Sequence, residues 1–127
     1  MFSRPLTALV VLSISAFAVP HAHAANSVSV LQFGTTNSSS IVQLGSTSNT
    51  ATTLQFGNIN QASVSQIGLP FAVNSSTIGQ GGGINAATAG QVGGFNTSFI
   101  GQIGSSNAAA IAQFGLLNGS QVIQQLP

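Results

Sequence analysis

Only three side chains in this 127-residue chain can carry charge near neutral pH: Arg4, His21 and His23, all before residue 25. His21 and His23 have the spacing of a metal pair, but no Cys, Asp or Glu accompanies them. Acid–base catalysis needs a group that titrates near working pH, and a nucleophilic serine needs a base beside it. From residue 25 onward the chain offers neither, so no enzyme, metal or cofactor site is expected. A calcium-binding β-roll is excluded by the absence of Asp. What the chain does carry is carboxamides. Asn stands at Asn26, Asn37, Asn49, Asn60, Asn74, Asn85, Asn96, Asn107 and Asn118. Gln follows each six residues later, at Gln32, Gln43, Gln55, Gln66, Gln80, Gln91, Gln102, Gln113 and Gln124. A carboxamide both donates and accepts, so like amides in register form hydrogen-bonded ladders along a stack of strands. The chemistry to expect is self-association through these residues.

The elements that position the amides are legible from the period. Gln-to-Gln spacing is 11, 12, 11, 14, 11, 11, 11 and 11 residues, a regularity that marks an internal repeat. Within each unit the period is two, as in a strand. The face that begins with Asn continues with a small residue, such as Ala62 or Ser98, then a mostly β-branched one, such as Val64 or Ile100, and ends on Gln. Glycine follows two residues after the Gln at Gly34, Gly45, Gly57, Gly68, Gly82, Gly93, Gly104 and Gly115, which reads as the turn. Nothing recurs at helical spacing. Parallel pairing needs a crossover of about a dozen residues. One intervening unit with its two turns supplies that between Gln32 and Asn49. The expected fold is all-β: a two-sheet parallel β-solenoid of about nine short strands built from eleven-residue half-repeats. The connector 67–73 is longer and contains Pro70, so it should loop out at a corner. The glycines at 79 and 81–83 make 74–91 the expected soft region.

Residues 1–24 read as a secretory signal. Arg4 gives the positive start, Leu6 to Val19 an apolar run too short to span a membrane, and Ala22-His23-Ala24 a small-x-small cleavage site. Cleavage after Ala24 leaves 25–127 as one repeat domain without an ionisable side chain. Such a chain has no electrostatic brake on association and no basic patch for nucleic acid or anionic lipid. Stable membrane insertion is not expected either. Strands 26–32 and 118–124 carry none of the charges that natural proteins use to blunt sheet edges. The apolar residues just after each Gln (Phe33, Leu44, Phe56, Ile67, Val92, Ile103 and Phe114) should stack as an outer stripe that either bundles solenoids or seals corners.

At this point a family resemblance enters. Gln55-Phe56-Gly57-Asn58-Ile59-Asn60-Gln61-Ala62-Ser63-Val64-Ser65-Gln66 resembles the Ser-x5-Gln-x-Gly-x2-Asn-x-Ala-x3-Gln repeat of curlins, the subunits of bacterial curli amyloid fibres. So does Gln102-Ile103-Gly104-Ser105-Ser106-Asn107-Ala108-Ala109-Ala110-Ile111-Ala112-Gln113, and the pattern extends over 26–126. The resemblance implies secretion, a curli export machinery and a nucleating curlin as partners, and polymerisation with itself. It further implies an extracellular fibre at the bacterial cell surface, serving biofilm matrix, adhesion and aggregation. The chain departs from family habit in opening every unit with Asn and in lacking Asp and Tyr. Three rivals stand beside this reading. A soluble monomeric solenoid adhesin would fail to seed fibres. An ice- or surface-binding face would need regular Thr arrays, and only Thr50, Thr52 and Thr53 cluster. A disordered low-complexity chain would lack the alternating β-branched residues.

Overall fold

The computed structural model describes residues 9–15, 25–45 and 48–126, with the backbone alone at 9–15. Nearly all of them are extended. Three strand segments, β1 (Leu9–Ser15), β2 (Ala25–Leu44) and β3 (Ser48–Gln125), lie in that order and pair in parallel. The register of β2 on β3 sets like on like: Asn26 on Asn49, Gln32 on Gln55, Asn37 on Asn60 and Gln43 on Gln66. A slip of one residue would turn every apolar and amide side chain to the wrong face, so the alternating pattern fixes this register.

β3 runs unbroken from Ser48 to Gln125, where the sequence reading divides it at the glycines. The reason lies at the corners, which stay extended and stay paired; Phe33 aligns with Phe56, and Gly34 with Gly57. Inside β3 the chain meets itself again at separations of 22 and 25 residues, as at Asn96 on Asn74 and Asn74 on Asn49. The enclosed core is narrow and follows the strand period. Ile41, Val64, Ile78, Ala87, Ala89, Ile100 and Ile111 pack in it, with Val28, Val30 and Val122 partly buried at its edges.

Glycine at the corners is a steric requirement, best seen at Gly57 and Gly93. Their φ angles of 136° and 137° lie where side chains are strained. A Cβ on either would also overlap the carbonyl oxygen of the glycine stacked against it, Gly82 or Gly115. Gly68, which opens the longer connector, does not share the positive φ of the other turn glycines.

The connector 67–73 solves its extra length differently from a plain excursion. Ala72 is tucked into the interior while Phe71 is 84% exposed and takes a φ of 66°. A left-handed conformation costs an ordinary L-residue about 1–2 kcal/mol, and Asn tolerates it better. Phe71→Asn is therefore expected to stabilise the fold by about 0.5–1 kcal/mol. A rise in the urea midpoint at unchanged slope is the readout.

The expectation that 74–91 is the soft region needs correcting in its physical basis. Asn74, Ser76, Ile78, Ala89 and Gln91 are fully buried, because the glycines there occupy outward and corner positions and leave the inner face intact. Asn26 is exposed, and Val28, Asn118 and Val122 are only half-buried. Amide exchange is expected to be slowest across 74–102 and fastest in 26–32 and 118–124. A hydrogen-exchange profile read by mass spectrometry checks this. Most of the 1–24 segment, including Arg4, His21, His23 and the cleavage point after Ala24, lies outside the described residues.

Candidate functional site

The amides converge into two rows. In the first row, Asn26, Asn49, Asn74, Asn96 and Asn118 form one ladder, each Asn donating its Nδ2 to the Oδ1 of the one before. The second row holds Asn37, Asn60, Asn85 and Asn107 in the same way. Donor–acceptor distances are 2.8 to 3.1 Å. The glutamines run with the opposite polarity. Gln32, Gln55, Gln80, Gln102 and Gln124 lie in the first row, and Gln43, Gln66, Gln91 and Gln113 in the second. Each donates its Nε2 to the Oε1 of the next at 2.5 to 2.9 Å.

A further contact escaped the sequence reading. The Gln amide also spends its second hydrogen, on a backbone carbonyl of the preceding unit in the other row. Gln43 bonds Ser27, Gln55 bonds Ser38, Gln66 bonds Thr50, Gln80 bonds Gln61, Gln91 bonds Ser75 and Gln113 bonds Thr97, at 2.9 to 3.2 Å. The Gln side chain thus ties the rows together as well as extending its own. Ser76 and Ser98 add a shorter ladder, the Ser98 hydroxyl donating to that of Ser76 at 3.0 Å. Interior amides such as Gln55, Gln66, Gln91 and Gln102 are fully buried, and burial of an unpaired amide costs several kcal/mol. Pairing is therefore a condition of the fold.

Four buried polar atoms lack a partner among the described residues: the Oε1 atoms of Gln32 and Gln43, Ser39 Oγ and Thr53 Oγ1. Gln32 and Gln43 are the first residues of the two Gln ladders, so an acceptor is left over at the same end of each row. No described side chain titrates near neutrality. Within the repeat domain 25–127 no side chain titrates between about pH 4 and 10, so the stability of that domain is expected to be nearly flat over this range. Chemical denaturation at several pH values checks it.

The outer apolar stripe is split by the same two rows. Phe33 and Phe56 stack at 5.2 Å between ring centroids and 8° between planes. Gly81 then interrupts the line before Ile103, while Leu44 pairs with Ile67 in the other row. Gly79, Gly81 and Gly101, flanked by Leu54, Phe56, Phe99 and Ile103, leave an open apolar groove of about 390 Å³ on the outer surface.

Compared with known proteins, the family model described as Curlin associated repeat matches residues 85–115. That span runs from Asn85 through the turn glycine Gly115, and so covers the three units opened by Asn85, Asn96 and Asn107. The match supports the resemblance to curlins. No curated protein and no solved structure matches the chain.

Proposed function

We propose that this chain is a curli-type structural subunit: a two-sheet parallel β-solenoid of nine stacked units that polymerises with itself into an extracellular amyloid fibre. The observation that carries the reading is the pair of like-on-like amide ladders, whose first glutamines keep unpartnered acceptors at the end of the stack. A ladder of this kind has no intrinsic length. Whatever unit of the same pattern arrives next finds a matching donor, a matching acceptor and a backbone edge. The curlin repeat match over 85–115 supports the same class.

In this reading residues 1–24 direct export and are removed after Ala24, and the repeat domain polymerises at the bacterial cell surface. The Asn and Gln ladders carry assembly, and the turn glycines hold the corners close enough for it. The partners are further copies of the chain, a nucleating curlin and the curli export machinery. The fibre serves matrix and adhesion; an enzymatic role has no chemistry to rest on.

Seeding tests the proposal. The protein is held in neutral buffer with and without sonicated fragments of its own aged assemblies, and sedimentable material is followed over time. Seeds are expected to abolish the lag. A protein that stays monomeric with and without seeds would be a soluble solenoid adhesin instead.

A further inference from the structure

Resting on the self-assembly reading, we propose which edges meet. The strand 118–124 of one copy docks in parallel on the edge 36–42 of the next, so that successive copies are related by about a half-turn about the fibre axis.

The edge 36–42 is shown to accept a parallel strand, because β1 lies on it, with Leu9 opposite Thr36 and Ser15 opposite Val42. β1 fills the backbone edge but does not match it. It sets Val10 against Asn37 and Leu12 against Ser39, residue types without an amide or a hydroxyl. With β1 in place, Ser39 Oγ and Gln43 Oε1 have no partner among the described residues, though both residues are at least 95% buried. Strand 118–124 carries what is missing. Aligned with Asn118 on Asn37, it brings Ser120 to Ser39, the same pairing that Ser98 makes with Ser76. It also brings Gln124 to Gln43. The polarity agrees, since every Gln in the stack donates from the earlier unit to the later one, and Gln124 is the last donor in its row. The incoming strand therefore continues both ladders, whereas β1 continues neither. The same pairing is expected whether β1 is displaced or has been removed.

The half-turn follows from parity. Units beginning at residues 26 to 118 alternate between the rows, and their number is odd, so the first and last share a row. Seating 118–124 under 36–42 joins the first row of one copy to the second row of the next. Gln113 then comes to lie under Gln32, whose Oε1 is the other unpartnered ladder acceptor. Joining like rows instead would set Ser120 against Val28 and leave the edge at 36–42 without a second-copy strand.

The chain has no cysteine, so single-cysteine variants read the contact directly. Ser40, Ser29 and Gln121 are all exposed and outward-facing. Adjacent parallel strands place aligned Cα atoms about 4.8 Å apart, within disulfide reach, while positions on opposite outer faces lie beyond the roughly 7 Å limit. Full-length Ser40→Cys and Gln121→Cys are mixed, assembled and oxidised, and a second mixture pairs Ser29→Cys with Gln121→Cys. The expected result is a disulfide-linked dimer in the first mixture and loss of that band in the second. Filaments that link through the second pair, or through neither, overturn the proposed docking while leaving self-assembly intact. Failure of every variant and of the unaltered chain to form filaments overturns the assembly reading itself.

Discussion

Gln66→Ala is expected to destabilise the fold by roughly 3–5 kcal/mol, as large an effect as any single amide truncation should have. Gln66 is fully buried at the centre of the second row. It accepts from Gln43 at 2.7 Å, donates to Gln91 at 2.7 Å and donates to the Thr50 carbonyl at 3.0 Å. Truncation strands a donor on Gln43, an acceptor on Gln91 and a carbonyl in the facing row. Each stranded buried group costs about 1–3 kcal/mol, and the lost volume adds a cavity term. Gln66→Leu restores most of the volume and none of the bonds, so it should recover little. Gln124→Ala, at a half-buried end with one bond to Gln102, should cost under about 1 kcal/mol. Urea unfolding of the three variants separates the effects. If Gln66→Leu matched the unaltered protein, burial alone would explain the repeated geometry of the row and the ladder would carry no energy.

Gly93→Ala is the second large effect, expected at about 3 kcal/mol or more. Gly93 has a φ of 137°, and a Cβ there runs into the carbonyl oxygen of Gly115. The obstacle is backbone, so no rotamer change relieves it. Relief requires the two turns to move apart, which stretches the ladders on either side, Gln91 to Gln113 and Asn118 to Asn96. Gly119→Ala is the control. Nothing lies within 4 Å of its Cβ position and its φ is not in the strained region, so alanine should be neutral or stabilising by about 0.4–1 kcal/mol. Thermal melts of the two variants give the comparison; equal shifts would mean the corners are looser than their geometry.

Much of this architecture was legible because the repeat writes each structural demand many times over. Asn and Gln six residues apart on one face point to stacked amides, and the recurring glycine marks where the chain turns; that the corners admit no side chain follows only from how closely the turns stack. What escaped was set by relations between units, which a single unit does not display. The bond from each Gln to a carbonyl of the other row depends on how closely the rows approach. The gap at Gly81 becomes a groove only once Phe56 and Ile103 are placed on either side of it. The glycines around 82 suggested softness because composition does not say which face a glycine occupies; here they face outward or turn corners, and Ile78 and Gln80 fill the interior. The seating of β1 on the edge 36–42 is likewise a relation between distant segments, which the apolar run from Leu6 to Val19 does not display.

The central claim is that one copy's ladders continue into the next, and fibre diffraction on aligned, seeded assemblies of the protein tests it most directly. The account predicts a sharp meridional reflection near 4.8 Å from the stacked turns and an equatorial one near 10 Å from the facing rows. Unbranched filaments lacking the meridional reflection, or a solution of compact monomers under seeding, would contradict it.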